Sequence, residues 1–228
     1  MAATPGAPKI EGYRFADDGR VPNNPRLPLI VYRGALKTGG DAAASCVALF
    51  HRNGWTGAWQ NGVYSHHHYH SSAHEVLGIA AGWVRVRLGG ESGQTVELRA
   101  GDVVVIPAGV AHKNEGKSPD LLVVGAYPRG QSPDMCRPGA ADHAWAVPQI
   151  AAVPLPTGDP VHGPSGPLLE RWRAQDPADP EPLGVPSRRS IGSARYRRCR
   201  RHCRTAPPRA ARIAGSRRHS RLRTCHGR

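Results

Sequence analysis

Several residue types and patterns that would define a class of protein are scarce or missing in this chain. Five cysteines occur among 228 residues, and only Cys46 and Cys136 precede residue 172, which is too few for a disulfide framework. Residues 1–9 lack the apolar stretch of a secretion signal, and no apolar run approaches the length that crosses a bilayer. We therefore expect a soluble, cytoplasmic protein in a reducing setting, with no membrane contact.

Acidic residues are nearly missing from the last quarter of the chain, so the positive net charge of the protein comes from this part. The formal net charge is +14. Residues 1–172 contain 15 Lys and Arg against 14 Asp and Glu, whereas residues 173–228 contain 16 Arg against 3 acidic residues. A nucleic-acid-binding domain carries its basic patch on a folded surface. Contact with nucleic acid is therefore expected only if the last quarter is a genuine part of the protein.

The end of the chain has an unusual composition, because residues 187–228 hold 15 Arg, no acid and no apolar period. Such a segment cannot bury enough apolar surface to offset the entropy of ordering, so we predict that residues 173–228 form a disordered basic tail. Three interpretations remain: a tail that binds RNA or other phosphates, a solvated segment without a role, and an artefact of a frameshift. We favour the frameshift, because basicity carried by Arg alone, among Ala, Pro and Cys, is typical of GC-rich DNA translated out of frame.

The part of the chain before this tail is organised as strands separated by turns. Residues 1–26 are predicted to be irregular, and residues 27–172 to form one domain. In residues 83–88 every second side chain is apolar, and residues 103–106 are apolar on both faces, as in a covered central strand. Many short strands with Gly-rich turns favour an all-β barrel or jelly roll. The predicted strands cover residues 27–32, 75–79, 83–88, 95–99, 103–106 and 121–127.

One helix is predicted before the strands and an extended arm after them. Asp41 is a suitable N-cap and Gly54 a suitable C-terminal stop for a helix over residues 41–53. Residues 128–172 are rich in Pro and Gly, which favours an extended C-terminal arm that packs across the barrel and is anchored near Trp172.

Two blocks of sequence carry the clearest chemical signal. The first, Gly62 to Gly82, has the pattern Gly-x5-His-x-His-x4-Glu-x6-Gly, and the second, Gly101 to His112, has Gly-x5-Pro-x-Gly-x2-His. Together they resemble the paired signature of the cupin superfamily, except that Gly116 stands where the family usually has Asn. The resemblance implies a single cupin domain, a double-stranded β-helix of jelly-roll type, with one bound metal ion. The metal ligands that it implies are His68, His70, Glu75 and His112.

The spacing of these four residues also makes physical sense without the family. Alternate residues of a strand face one side, so His68 and His70 can point to the same place. A tight turn returns Glu75 beside them, and a Pro-Gly turn lets His112 start a strand that faces the same interior. Three imidazoles and one carboxylate suit a divalent transition metal, with Fe(II) or Mn favoured and Ni, Cu or Zn as alternatives. A histidine-rich surface strand over residues 66–70 is the alternative, and two intact blocks argue against it.

The same alternation nominates further residues of the site. Tyr64 and His66 share the parity of the two ligand histidines, so both are candidate catalytic residues, although a packed or solvent-facing imidazole is the plainer interpretation of His66. His67 and His74 should face away from the site. The aromatic residues that could form the mouth of the cavity are Trp55, Trp59 and Tyr127.

The expected function follows from the ligand set. Four protein ligands leave one or two positions on a five- or six-coordinate ion, as in catalytic metal sites. We expect a metal-dependent oxidoreductase of dioxygenase type that acts on a small oxygenated molecule; a metal-dependent isomerase and a non-catalytic small-molecule binding or sensing module are the alternatives. Residues 12–172 resemble small bacterial single-domain cupins, and this resemblance does not supply a substrate. Unpaired sheet edges favour a homodimer.

Overall fold

The structure is a computed structural model that describes residues 9–175 of the chain. The predicted disordered tail at 173–228 therefore lies outside the described residues, apart from its first three positions. No helix in the described range is long and apolar enough to cross a membrane. In chain order the elements are β1 (Ile10–Tyr13), β2 (Leu29–Tyr32), α1 (Ala42–Arg52), β3 (Trp55–Asn61), β4 (Glu75–Ala81), β5 (Trp83–Leu88), β6 (Gln94–Arg99), β7 (Val103–Ile106), β8 (His112–Lys117), β9 (Leu122–Pro128), α2 (Ala140–Ala152) and α3 (Pro167–Arg173).

The strands form two antiparallel sheets. A six-stranded sheet has the order β1-β2-β7-β4-β9-β3, and a three-stranded sheet has the order β6-β5-β8. Strands that are distant in sequence are neighbours, as where β7 and β9 both pair with β4, and this is the connectivity of a jelly roll. The predicted fold class is thus confirmed in its sheets. The homodimer stays a prediction.

Strand β7 is the covered central strand that its sequence predicts. All four of its residues are buried, and it pairs with β2 through Val31 and Val104 and with β4 through Leu77 and Val104. A strand that is buried on both faces cannot alternate polar and apolar side chains, which explains its continuous apolar run.

Apolar side chains pack on both faces of the six-stranded sheet. On one face Leu77 and Ile106 meet Val86 of the smaller sheet. On the other face Phe50 of α1 and Trp172 of α3 cover the sheet. Each such side chain contributes about 1.5–3 kcal/mol when it is fully buried, so the core between and behind the sheets is the main source of stability.

Helix α1 forms where its capping residues predict it. The Asp41 carboxylate accepts a hydrogen bond from the Ala44 backbone N–H at 2.9 Å, and Gly54 takes a positive φ of 84° after the helix ends. The helix packs closely on β4 at Gly78, where a Cβ would lie 2.6 Å from Cys46 Sγ. Glycine at this position therefore sets the distance between helix and sheet.

Two predictions about the ends of the domain were wrong. The segment predicted to be irregular, residues 1–26, contains β1, which pairs with β2. The predicted extended arm at 128–172 contains α2 and most of α3. Pro148 lies inside α2, at an exposed position where the missing N–H is tolerated, and Pro167 opens α3 at a position where no backbone donor is needed. Counting prolines therefore underestimated the helix content.

One buried carboxylate attaches the segment before α3 to the sheet. Asp159 has no exposure to solvent, and it accepts a hydrogen bond from the Tyr32 hydroxyl at 2.6 Å. Its two oxygens also accept from the backbone N–H groups of Val161, His162 and Leu168. Burial, followed by the nearby Asp159 charge, raises the pKa of Tyr32, so the hydroxyl keeps the proton that it donates.

Replacing Asp159 with Ala should lower the free energy of unfolding by about 3–5 kcal/mol, because four donors, two of them in fully buried hydrogen bonds, lose their acceptor. Asp159→Asn should cost less, since the amide keeps one acceptor oxygen. Glu170→Ala, an exposed change in the same part of the chain, is the matched control and should stay near wild type. Urea unfolding measures all three; an Asp159→Ala variant as stable as the control would contradict the role given to this carboxylate.

Candidate functional site

A cavity of about 300 Å³ contains all four residues that the sequence predicts as metal ligands. Its walls come from β3, β4, β8, β9, the connection between β3 and β4, and the segment between β9 and α2. The remaining lining residues are Trp59, Gln60, Asn61, Gly62, Val63, Tyr64, Tyr127 and Met135.

Backbone pairing brings the four residues together. Glu75 opens β4 and His112 opens β8. The predicted strand around His68 and His70 is reduced to isolated bridges: His68 pairs with His112 through two backbone hydrogen bonds of 3.3 and 2.9 Å, and Tyr69 pairs with Cys136. Extended backbone is enough to preserve the alternation here, since His68 and His70 line the cavity while Tyr69 is buried in a separate apolar cluster.

The imidazoles surround the Glu75 carboxylate at short range. Glu75 Oε2 lies 3.3 Å from His112 Nε2 and 3.6 Å from His70 Nε2. The ring centroids of His68 and His112 are 4.1 Å apart, those of His68 and His70 are 5.5 Å apart, and those of His70 and His112 are 6.1 Å apart. Imidazoles that share one metal ion, with each nitrogen about 2.1 Å from it, have centroids roughly 4 to 6.5 Å apart.

Two of the imidazoles are oriented by backbone carbonyls. His70 Nδ1 makes a short hydrogen bond to the carbonyl oxygen of Asp134, and His112 Nδ1 lies 3.5 Å from the carbonyl oxygen of Val110. Because a carbonyl can only accept, Nδ1 carries the proton in both rings. Their Nε2 atoms therefore direct either a lone pair or a second proton towards Glu75.

The charge states of these groups are strongly perturbed by burial. Glu75 is 2% exposed; burial alone would raise its pKa, but its contacts with His112 and His70 outweigh this and hold the pKa well below its usual range. Burial likewise opposes protonation of His70, but the Glu75 carboxylate raises its pKa overall. Burial, with the neighbouring imidazoles, lowers the pKa of His68 to about 3, so His68 is neutral at physiological pH.

The four side chains are of the types that bind a divalent metal, but their present arrangement is slightly too open for one. Within residues 9–175, no group of three or more His, Cys, Asp and Glu side chains is arranged so that it could hold a metal ion as it stands. Glu75 Oε2 is nevertheless buried without a hydrogen-bond donor. Donors bound about 2.1 Å from one ion lie roughly 3.0–3.4 Å apart, and the longer of the two contacts to Glu75, 3.6 Å, exceeds this by a few tenths of an ångström.

Asp134 is a residue of the site that sequence reasoning missed. Its carboxylate accepts from the Ser71 backbone N–H at 2.7 Å and from the Ser71 hydroxyl at 2.5 Å, and also from the Ser72 backbone N–H at 3.3 Å. Its own carbonyl holds His70 Nδ1. Asp134 therefore fixes both the turn after His70 and the orientation of the ring. No spacing pattern marks it, because its partners are more than 60 positions away in the sequence.

Trp59 and Tyr127 form a hydrogen-bonded pair on the cavity wall. Trp59 Nε1 donates to the Tyr127 hydroxyl at 2.9 Å, and the Tyr127 ring stands perpendicular to His70 with centroids 5.8 Å apart. Gly125 makes room for the indole, since a Cβ there would overlap the Trp59 ring. Burial, and then the Glu75 charge, raises the pKa of Tyr127. Its hydroxyl therefore accepts from Trp59 and keeps a proton to donate.

The two predicted catalytic residues are placed differently. Tyr64 lines the cavity, with its side chain half exposed. His66 stacks on Tyr64 with centroids 5.1 Å apart, but it lines a separate surface depression with His67 and Lys113. The expectation that His66 faces the interior was wrong, because no continuous strand joins it to His68 and the alternation does not extend that far.

Two other residues near the site have structural roles. Trp55 is fully buried and donates to the Gly158 carbonyl oxygen at 2.9 Å, so it does not belong to the mouth of the cavity. His74 is also buried; its Nδ1 accepts from the Ala108 backbone N–H at 2.9 Å, and its ring packs on Trp172. His74 thus faces away from the cavity.

Solved structures with a similar fold include several enzymes. Acireductone dioxygenase from Bacillus anthracis, with a cadmium ion in its active centre, is 15% identical, with a TM-score of 0.31 over 55% of this chain and 82% of that one. Oxalate decarboxylase of Bacillus subtilis, solved as a mutant, is 14% identical, with a TM-score of 0.28 over 60% of this chain and 29% of that one. Likenesses at this level concern the fold alone.

Two sequence comparisons establish the family. The family described as "Cupin domain" matches residues 57–124, which run from β3 into β9 and include both motif blocks. The uncharacterised protein YjlB of Bacillus subtilis (strain 168) is 45% identical over 164 residues, which cover 72% of this chain and 97% of YjlB. Since a relative is matched along almost its whole length and the domain match covers the strands of the site, the chain belongs to the cupin superfamily.

Proposed function

We propose that this protein is a metal-dependent enzyme of dioxygenase type that acts on a small oxygenated organic molecule. His68, His70, His112 and Glu75 ligate one divalent transition metal, Fe(II) or manganese. One observation carries the proposal. The imidazoles of His70 and His112, each held by a backbone carbonyl, both approach Glu75 Oε2, which is buried and has no hydrogen-bond donor. This meeting point lies on a cavity large enough for a small molecule.

The protein would contribute orientation and a fixed charge. The carbonyls of Asp134 and Val110 hold the Nδ1 protons of His70 and His112, so their Nε2 lone pairs are available as ligands. His68 stays neutral because burial lowers the pKa of its ring to about 3. When bound, the metal would supply a Lewis acid and a redox partner for dioxygen. Glu75 supplies the only negative charge in this ligand set.

The other lining residues favour oxidation over isomerisation. Isomerisation by proton transfer needs a general base whose pKa is near the working pH. Apart from the four proposed ligands, the lining residues in the described part of the chain are neutral, and the pKa of Tyr127 is raised. A dioxygenase reaction avoids this need: both atoms of O₂ enter the organic product, the substrate supplies the electrons, and no further reductant is required.

Metal content tests the ligand assignment. Purified wild-type protein should hold close to one divalent ion per chain, and His68→Ala, His70→Ala, His112→Ala and Glu75→Ala should each lose most of it, because each removes one donor. Elemental analysis after gel filtration measures the content. His66→Ala is the matched control, since it removes a neighbouring imidazole that lies outside the cavity, and it should retain the metal. Loss of metal from the control to the same extent as from the four variants would show that the ligand assignment is wrong.

Asp134→Ala should weaken metal binding about 10- to 100-fold without removing a ligand, as expected for a residue that orients a ligating imidazole. The Asp134 side chain holds the turn after His70, and its backbone carbonyl binds His70 Nδ1. Without the side chain, neither the turn nor the backbone at residue 134 is held in place, so the imidazole loses its orientation. Competition with a chromophoric chelator measures the dissociation constant, and Asp120→Ala, an exposed change, serves as the control. An Asp134→Ala variant that is folded and binds metal as tightly as wild type would contradict this role.

Oxygen consumption tests the reaction class. Protein reconstituted with Fe(II) under anaerobic conditions should consume O₂ when mixed with at least one member of a panel of enediols, catechols and diketones, and ¹⁸O₂ should label the product at both oxygen positions. The Glu75→Ala protein is the control and should remain inactive. A metal-loaded wild-type protein that binds panel members but never consumes oxygen would favour the non-catalytic binding module instead.

A further inference from the structure

The lining of the cavity contains an asymmetry in charge. Of its 12 residues, Glu75 is the single acid, and neither Lys nor Arg occurs among those in the described part of the chain. One cation, Lys117, lies close to the lining at Gly62, where its Nζ would be 3.8 Å from an added Cβ. Lys117 is exposed and is not one of the residues that line the cavity, so water screens its charge from the interior.

This asymmetry limits the charge of a ligand if the site holds a metal as proposed above. Three neutral imidazoles, one carboxylate and a divalent ion carry a net charge of +1. A ligand with one negative charge makes the buried assembly neutral. A dianion leaves a buried excess charge with no cationic side chain beside it, and an uncompensated buried charge costs several kcal/mol.

The polar and apolar parts of the wall indicate the shape of the ligand. Tyr127 accepts a hydrogen bond from Trp59, so its own hydroxyl proton remains to be donated on the side of the cavity where Glu75 and His70 lie. Trp59, Val63 and Met135 supply apolar surface to the same cavity. One donor beside a ligand histidine, together with apolar surface on the same cavity, fits a molecule with its oxygens at one edge and apolar atoms elsewhere.

We propose that the cavity selects molecules that chelate as monoanions through two adjacent oxygens, of the catechol, enediol or hydroxyketone class, and that the Tyr127 hydroxyl donates a hydrogen bond to one of these oxygens. Dicarboxylates and phosphates are selected against because the lining offers them no cation. This inference rests on the proposed metal site, and it adds the charge of the ligand and the residue that recognises it.

Equilibrium binding to the full-length, metal-loaded protein tests this selectivity. The probes are tropolone, which chelates through two adjacent oxygens with one negative charge, oxalate, which chelates with two, and inorganic phosphate. Isothermal titration should give tropolone a dissociation constant at least about 10-fold lower than that of oxalate or phosphate. Tyr127→Phe, which keeps the ring and removes the hydroxyl, should weaken tropolone about 10-fold, the loss expected for a hydrogen bond to a charged group.

A positive charge introduced at the rim separates the effect of electrostatics from that of shape. Met135 is half exposed and lines the cavity, so Met135→Lys should fold and should improve oxalate binding relative to tropolone. Lys117→Met is the matched control and should leave the preference unchanged.

The outcomes distinguish this inference from the metal site on which it depends. Metal-loaded protein that binds oxalate as tightly as tropolone, or a Tyr127→Phe protein that binds tropolone like wild type, overturns the selectivity and leaves the metal site standing. A preference that does not respond to Met135→Lys overturns the charge argument. Protein that takes up no metal by elemental analysis overturns the proposed function and this inference together.

Discussion

Glu75 imposes the constraint on which the site depends, because its carboxylate is 2% exposed and lies among imidazoles. Removing a carboxylate from water costs several kcal/mol unless an opposite charge and hydrogen bonds compensate for it. Without a metal, the compensation comes from a proton on a neighbouring imidazole, which is why the pKa of His70 is raised while that of Glu75 is lowered. A divalent cation can replace that proton at the same point. The buried carboxylate is therefore tolerated because a positive charge can always be present beside it.

The fold meets this constraint with backbone pairing. Glu75 and His112 are the first residues of β4 and β8, and His68 is tied to His112 by two backbone hydrogen bonds. His70 has no such pairing, and there Asp134 supplies both an anchored turn and a carbonyl for the ring. Two groups are thus positioned by strands, His68 by an isolated bridge, and His70 by a polar network.

The sequence predicted those features that depend on local periodicity. Alternation over 83–88 and the capping residue Asp41 each specify an element by short-range physics, and the structure has both elements. The site residues were named together because their spacing is that of a family motif. What could not be predicted depends on long-range contacts. The Pro and Gly content of residues 128–172 argued against α2, whose buried residues Ala146 and Ile150 pack in a cluster with distant parts of the chain. Asp134 belongs to no motif and acts on residues more than 60 positions away. The predicted orientation of His66 was wrong for a related reason, since side chains alternate between two faces only as far as the backbone is extended.

The central claim is that three imidazoles and one carboxylate hold a single metal ion in this cavity. Crystals grown with Fe(II) under anaerobic conditions, with diffraction data collected on both sides of the iron absorption edge, test it most directly. The account predicts one anomalous peak per chain, about 2.0–2.3 Å from the Nε2 atoms of His68, His70 and His112 and from a carboxylate oxygen of Glu75. An iron-loaded crystal in which the peak lies elsewhere, or in which Glu75 and His70 keep their present contact with no peak between them, would contradict it.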